Sequence, residues 1–274
     1  MSGPFYFLEA GRIVERVLPD PCEAVMNDIP WGQAEQLFTP AFWLTQLWMS
    51  GDERERHRLG STFGEEVAAC LLGGHGLTAE VGLAAFDRLR TLGLIASLCQ
   101  DESAIAAALR RPLVVRNRPV VYRFWAQRSR YLVAAFKHLR DQPPSQHSAV
   151  ALRDYLLEIP GIGLKTSSWV VRNWLDSDDV AVLDVHVVRA GVLMGLFERE
   201  HRLPRDYIAM ERLFLDLAAR MQVSAATLDA LIWKVMRQCP DVVANALSAH
   251  SNARPVRAKA GTSRRSTPVQ SPWT

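Results

Sequence analysis

The sequence predicts an all-α protein, and three observations support this fold class. Apolar residues recur at helical spacing over most of the chain between about residue 34 and residue 248. Glycine, proline and aspartate interrupt this pattern often enough to give helices of ordinary length. Apolar residues make up 49% of the 274 residues and charged residues 22%, a balance that is typical of a globular protein.

Two short segments are predicted to be extended instead. Phe5–Leu8 and Arg12–Val14 lie on either side of Gly11, which favours a pair of strands joined by a turn. The run Pro112-Leu-Val-Val is predicted to be extended because Pro119 and the residues before it disfavour a helix.

The positive charge of the sequence is concentrated at its C-terminal end. Residues 251–274 combine proline, glycine, serine and five cations with no acidic residue, a composition that cannot bury enough apolar surface to fold. We therefore predict a disordered basic tail, which either attracts phosphate groups non-specifically or has no binding role. The formal net charge is +3, so residues 1–250 carry −2 and any nucleic-acid surface there must be a local patch.

The four cysteines are too scattered to build a clustered zinc or iron–sulfur site, and no metal or organic cofactor is expected. They are Cys22, Cys70, Cys99 and Cys239. The N-terminal residues lack the basic region and long apolar run of a signal peptide. No apolar stretch approaches the ~20 residues needed to span a bilayer. We therefore expect a soluble, intracellular protein that does not enter a membrane.

A helical hairpin is predicted in the segment 148–193. Its first helix is indicated by residues spaced 3, 4 and 3 apart, namely Ala149, Leu152, Leu156 and Ile159. Pro160 ends that helix, and Gly161-Ile162-Gly163 forms a tight turn. The second helix is indicated by spacings of 4, 3 and 4, at Leu164, Ser168, Val171 and Leu175. The turn glycines would allow backbone N–H groups at the start of the second helix to approach a DNA phosphate closely.

Two ionisable residues follow this turn at informative positions. Lys165 lies on the second helix, and Trp169 lies on the same face one turn later. After the apolar run 180–183, Asp184 occupies the position of a helix N-cap. His186 and Arg189 are three residues apart on the helix that Asp184 begins, so they share a face.

The segments LEIPGIGLK and LDVHVVR resemble the helix-hairpin-helix DNA glycosylases, in particular their 8-oxoguanine branch. In that branch a lysine stands two residues after the last hairpin glycine and an aspartate follows, and here Lys165 and Asp184 are 19 residues apart. Residues 165–173 are similar to the Lys-x-x-Ser-x-x-x-Arg-Asn pattern of the type-2, largely archaeal enzymes. Residues 122–133 are similar to a Tyr-Arg-Phe…Tyr-Ile-Val segment of the same enzymes, and the resemblance is specific over roughly 120–195.

The resemblance implies an active site and a substrate. Lys165 would attack C1′ of a nucleotide whose base has left the duplex stack, and Asp184 would stabilise the positive charge that develops on the sugar. β-Elimination of the 3′ phosphate would follow. Residues 226–233 are similar to a Leu-Asp-x-Leu-x-Trp helix of another archaeal branch, which implies a base pocket of Trp169, Asp229 and Trp233. Asp229 would accept hydrogen bonds from a guanine-type base.

The predicted partner is double-stranded DNA containing a modified base, bound by a monomer. The predicted DNA contacts are Gly161, Ile162, Gly163, Thr166, His186 and Arg189. The resemblance further implies a helical barrel over about 60–195, a second subdomain made of the N-terminal segment and 196–248, and an active-site cleft between them. These two subdomains together form one glycosylase domain, 1–250.

Other interpretations remain open at this point. Asp184 could serve only as a helix cap, and Trp169 and Trp233 could be core residues. A non-catalytic helix-hairpin-helix protein would need neither Lys165 nor Asp184, and an iron–sulfur glycosylase would need a cysteine cluster that this chain lacks. The same chemistry could act on another modified base, such as a hypermodified cytosine in phage DNA, which would indicate antiviral defence instead of DNA repair.

Overall fold

A computed structural model of the protein describes residues 2–51, 57–74, 76–144, 148–198 and 200–253. Helices dominate these residues, so the predicted all-α class is confirmed. The helices are α1 (Pro40–Ser50), α2 (Phe63–Leu72), α3 (Ala79–Thr91), α4 (Glu102–Arg110), α5 (Trp125–Asp141), α6 (Ala149–Leu157), α7 (Leu164–Leu175), α8 (Val185–Met194), α9 (Tyr207–Arg220), α10 (Ala225–Gln238) and α11 (Pro240–Ala253).

Six short strands form three separate antiparallel pairs within the described residues. The pair β1 (Gly3–Glu9) and β2 (Arg12–Leu18) corresponds to the predicted N-terminal strands, with Gly11 in the turn between them. The pair β5 (Leu113–Val115) and β6 (Arg118–Val120) contains the predicted extended run. The third pair, β3 (Ala24–Met26) and β4 (Ile29–Pro30), had no clear pattern in the sequence.

Several helices begin at residues whose side chains cap the free N–H groups of the first turn. Thr62 and Glu65 form a reciprocal capping box at α2, and the Asp101 carboxylate accepts from two backbone amides at the start of α4. Ser148 and Ser224 cap α6 and α10 in the same way. These local signals explain why the chain divides into helices where it does.

The buried apolar residues fall into two cores, which correspond to two helical subdomains. The first core runs from Val67 to Val180 and contains the inner faces of α2 to α7. The second combines residues 25–47 with residues 181–243. The core boundary therefore lies between Val180 and Ala181, whereas the sequence placed it near residue 195. The difference arises because the buried face of α8 packs against α10 and α11 of the second core.

The C-terminal helix also differs from expectation. α11 continues to Ala253, so the first residues of the predicted tail are helical. The rest of that predicted tail, residues 254–274, lies outside the described residues. No helix in the described part of the chain combines the length and the apolar character needed to cross a bilayer.

The turn between α6 and α7 forms the predicted helical hairpin. Gly161 has a φ angle of +91°, and a Cβ atom there would lie 2.3 Å from the Tyr131 ring of α5. Ile162 is buried beneath the turn. Gly163 stands at the start of α7 with extended backbone and open space around it. The two turn glycines therefore have different structural roles.

Gly161→Ala should lower the free energy of unfolding by about 2 kcal/mol or more, because it adds left-handed backbone strain to a clash with the Tyr131 ring. Gly163→Ala is the matched control, and its effect should stay within about 0.5 kcal/mol. Urea unfolding of both variants measures the difference. Equal effects at the two positions would contradict this account of the turn.

Candidate active site

The predicted N-cap at residue 184 is present in the structure. The Asp184 Oδ1 atom accepts hydrogen bonds from the backbone amides of His186 (2.8 Å) and Val187 (3.0 Å) at the start of α8. Both capping bonds use the same oxygen. The second carboxylate oxygen of this partly buried residue therefore remains available for another role.

Lys165 lies at the second position of α7, directly after the hairpin turn. Burial lowers the pKa of its amine, and the negative charge of Asp184 opposes that shift. The structure therefore brings together the two residues that the sequence predicted as a pair. A lysine with a lowered pKa has a larger neutral fraction near neutral pH, and only the neutral amine is a nucleophile.

Trp169 and Cys70 form part of the surroundings of this lysine. The Lys165 Nζ atom lies 4.1 Å from the centroid of the Trp169 ring. The same ring lies against Gly73 at the end of α2, where a Cβ atom would be 3.1 Å from it. Cys70 is fully buried one turn before Gly73, and burial raises the pKa of its thiol. Trp169 therefore covers one side of the amine, while its own partial exposure fits a wall of a pocket.

Asp229 does not present a free carboxylate to a cleft, in contrast to the expected base-pocket role. Its side chain is 2% exposed, its Oδ1 atom accepts from the Arg172 guanidinium, and its Oδ2 atom accepts from the Val182 amide at 2.9 Å. Burial raises its pKa to about 6, and Arg172 opposes this shift. Its burial, together with these two hydrogen bonds, holds the carboxylate inside the protein in this structure.

Trp233, the other residue predicted on this helix, is 38% exposed one turn after Asp229. The Arg237 guanidinium lies 4.5 Å from its ring centroid. Arg237 in turn is within 3.5 Å of Glu80 on α3, so the side chains of the two subdomains meet near this ring. Trp233 therefore lies at the surface, and Trp169 contacts the lysine.

The residues predicted to contact DNA surround the start of α7 and α8. Gly161 and Gly163 are exposed, Thr166 is partly buried on the first turn of α7, and no side chain of the described chain caps that helix. His186 is partly buried and Arg189 is exposed on α8. An uncapped helix N-terminus beside an exposed turn is an arrangement that binds anions.

Two buried side chains, Glu211 and Tyr207, hold the segment that leads to Asp184, and a third, Arg153, pairs with Glu211; none of the three was predicted from the sequence. The Ala181 amide donates to Glu211 (3.0 Å), and the Leu183 amide donates to the Tyr207 hydroxyl (3.2 Å). Arg153 forms a buried ion pair with Glu211. The sequence signal that could have identified Glu211 is its position as a charged residue on an otherwise apolar face of α9. A single sequence does not identify which residue such a buried charge contacts.

Two further features bear on ligands. No group of three or more His, Cys, Asp and Glu side chains that could hold a metal ion occurs within the described ranges. A cavity of about 650 Å³ lies within the N-terminal segment and the α9–α10 turn, and its walls include Trp31, Trp48 and Arg220. Neither α7 nor α8 lines this cavity, so it is separate from the Lys165–Asp184 pair.

Comparisons with known proteins place this geometry in a family. The family model for 8-oxoguanine DNA glycosylase matches residues 51–223. An 8-oxoguanine DNA glycosylase/AP lyase of Saccharolobus islandicus is 29% identical over 122 residues, which cover 41% of this chain. The match spans 58% of the length of that relative.

Solved structures agree in fold. The crystal structure of Methanocaldococcus jannaschii 8-oxoguanine DNA glycosylase matches with a TM-score of 0.50 at 22% identity, covering 71% of this chain and 83% of that one. The structure of the same organism's glycosylase/lyase in complex with a 15mer DNA containing 8-oxoguanine matches with a TM-score of 0.51 at 20% identity, covering 72% and 88%.

The match to the family model extends over more than half of the chain, and its residues include the hairpin, Lys165 and Asp184. The chain belongs to the helix-hairpin-helix family of 8-oxoguanine DNA glycosylases.

Proposed function

We propose that this protein is a DNA glycosylase and AP lyase that excises a modified base, 8-oxoguanine in the first instance, from double-stranded DNA. The observation that carries the proposal is the pairing of Lys165, whose pKa burial lowers, with Asp184 directly beyond the hairpin. The names of the curated relatives support both the base and the lyase step.

In the proposed reaction, the target nucleotide leaves the stack and its sugar enters the site. The neutral Lys165 amine attacks C1′, the N-glycosidic bond breaks, and the base departs with the bonding electrons and takes up a proton. The Asp184 carboxylate lies beside the sugar and stabilises the positive charge that develops there. The lysine nitrogen loses a proton, and the C1′–O4′ bond then breaks with its electrons going to O4′, which takes up a proton. A protonated Schiff base remains between Lys165 and C1′.

The lyase step follows from that intermediate. Removal of a proton from C2′ breaks the C3′–O bond, and the 3′ phosphate departs with its electrons. Water then hydrolyses the Schiff base and restores the free amine. Each step uses groups of this chain, DNA and water, so the proposal requires no cofactor.

The proposed DNA contacts are Gly161, Ile162, Gly163, Thr166, His186 and Arg189. The exposed turn and the uncapped start of α7 support a backbone contact with phosphate. Trp169 and Trp233 are the proposed aromatic residues of the base pocket. Asp229 is left out of the direct contacts because its carboxylate is buried and both of its oxygens accept from protein donors.

A second candidate substrate is a hypermodified cytosine of the kind found in phage DNA. Two observations support this second candidate substrate. The family model does not cover residues 1–50, and the predicted acceptor for a guanine-type base is not offered to a cleft. The chemistry at Lys165 and Asp184 would be the same for either base.

Borohydride trapping tests the nucleophile and the base together. The wild-type chain should form a covalent adduct with a duplex carrying 8-oxoguanine opposite cytosine, and Lys165→Gln should abolish the adduct while leaving duplex binding nearly intact. Adduct formation only with hypermodified cytosine DNA would move the assignment to the second substrate. Base release that persists in Lys165→Gln would remove the lysine from its proposed role.

Asp184→Asn should slow base excision by about 100-fold or more, because the site loses the charge that stabilises the sugar cation. Asparagine is a good N-cap, so the melting temperature should change little. Single-turnover kinetics and thermal unfolding measure the two effects. Asp101→Asn is the matched control, since Asp101 caps α4 away from the pair and its substitution should leave excision unchanged. A large loss of stability with unchanged excision in Asp184→Asn would show that Asp184 serves only as a helix cap.

The pH dependence of trapping with an abasic-site duplex should report on Lys165. Because burial lowers the pKa of this amine, the rate should rise with pH and level off below the pH at which an ordinary lysine loses its proton. In Asp184→Asn the opposing negative charge is lost, so the pKa should fall further and the plateau should begin at a lower pH. A plateau that begins at a higher pH in Asp184→Asn would contradict the assigned interaction between Asp184 and Lys165.

Arg189→Ala should weaken duplex binding and lower the slope of log affinity against log salt by about 1, as expected for the loss of one phosphate contact. The excision rate at saturating DNA should remain near the wild-type value. Arg212→Ala on α9 removes another exposed arginine and serves as the control. Equal salt dependence in the wild type and Arg189→Ala would exclude Arg189 from the interface.

A further inference from the structure

We propose that Asp229 is a positioning residue, which holds the helix of Lys165 and the segment of Asp184 at a fixed separation through its two carboxylate oxygens. This proposal rests on the function proposed above, in which Lys165 and Asp184 are the reacting pair. It replaces a direct contact between Asp229 and the base.

Asp229 contacts the lysine helix through Arg172. Arg172 is seven residues after Lys165 on α7, so two helical turns place both residues on the same face. Arg172 donates to Asp229 Oδ1 through Nη1. Its other guanidinium nitrogens, Nε and Nη2, donate to Asn173 Oδ1 at 3.1 and 2.9 Å, and Asn173 donates to the buried Glu66 at 2.7 Å. The guanidinium is thereby fixed to the first core.

Asp229 also contacts the segment that leads to Asp184. Residues 181–183 are buried but belong to no helix or strand, so their backbone amides need side-chain acceptors. Asp229 Oδ2 accepts from the Val182 amide at 2.9 Å, two residues before Asp184. Glu211 and Tyr207 hold the amides on either side of it. These contacts leave Asp184 little freedom to move relative to the second core.

Asp229 joins both sides of the reacting pair through one side chain, and Glu211 of α9 does the same through Ser168 of α7 and the Ala181 amide. Asp229 comes from α10 of the second core, and its Oδ1 contact reaches across to α7 of the first core. The residue is 2% exposed, so water does not compete for either oxygen. Loss of this link would let the carboxylate of Asp184 shift relative to the amine, and a displacement of about 1 Å can cost about 100-fold in rate.

Asp229→Asn is the first test, since it keeps the shape of the side chain and removes its charge. Single-turnover excision of 8-oxoguanine should fall by about 100-fold. Duplex affinity should stay near the wild-type value, and borohydride trapping on a preformed abasic site, which needs the lysine but no base departure, should fall much less. Asparagine has one acceptor oxygen, which we expect to face the charged Arg172 guanidinium, so its NH2 group would face the Val182 amide and hydrogen exchange at that amide should become faster. The control is Asp101→Ala, which removes a helix cap in the first core and should lower stability without changing that exchange or the excision rate.

A second variant separates positioning from general stability. Arg172→Met combined with Asp229→Leu removes both charges, and apolar replacement of a buried ion pair often restores stability. The melting temperature should recover relative to Asp229→Asn. Excision should remain slow, because the Val182 amide still lacks its acceptor. If excision recovered together with the melting temperature, the role of Asp229 would be structural only and the proposal would be wrong.

The remaining outcomes also decide the question. Unchanged exchange at Val182 in Asp229→Asn, or faster exchange with an unchanged excision rate, would overturn the positioning role. A selective loss of affinity for lesion DNA over undamaged DNA would instead return Asp229 to the base pocket. If the wild-type chain released no base from any duplex, the proposed function would fail, while the exchange measurement would still decide whether Asp229 holds the segment.

Discussion

Buried backbone that is neither helix nor strand must find hydrogen-bond partners among side chains, and this requirement shapes the centre of the protein. The segment 181–183 crosses from the first core to the second with three consecutive amides bonded to side chains. Two of the acceptors are carboxylates, and each is balanced by a buried arginine. The ion pairs are therefore consequences of the path of the chain, since an unpaired buried carboxylate would be costly.

The environment of Lys165 reflects two opposing effects. Removal from water favours the neutral amine, whereas the nearby Asp184 charge favours the ammonium form. The Trp169 ring stabilises a positive charge through its face as well. The balance gives an amine that loses its proton more readily than an exposed lysine does, without being permanently neutral. Such a balance suits a group that must act as a nucleophile and later be released by water.

The sequence predicted those parts of the fold that depend on local signals. The hairpin turn, the N-cap at Asp184 and the N-terminal strand pair each rest on a few adjacent residues with strong conformational preferences. The core boundary was misplaced because the periodicity of α8 shows which face is buried but does not show which core covers it. Asp229 was assigned to a base pocket by resemblance, and its pairing with Arg172, 57 residues away, has no local signature. The roles of the site residues in catalysis and DNA binding stay predictions.

The core boundary at Val180 has a consequence for how the site is assembled. The amine belongs to a helix of the first core, and the carboxylate begins a helix of the second core, so neither half of the molecule contains the pair. A chain that has folded only as far as Val180 would have the lysine without the carboxylate. The proposed chemistry would then arise only when the second half docks, which couples the completion of folding to the assembly of the reacting pair.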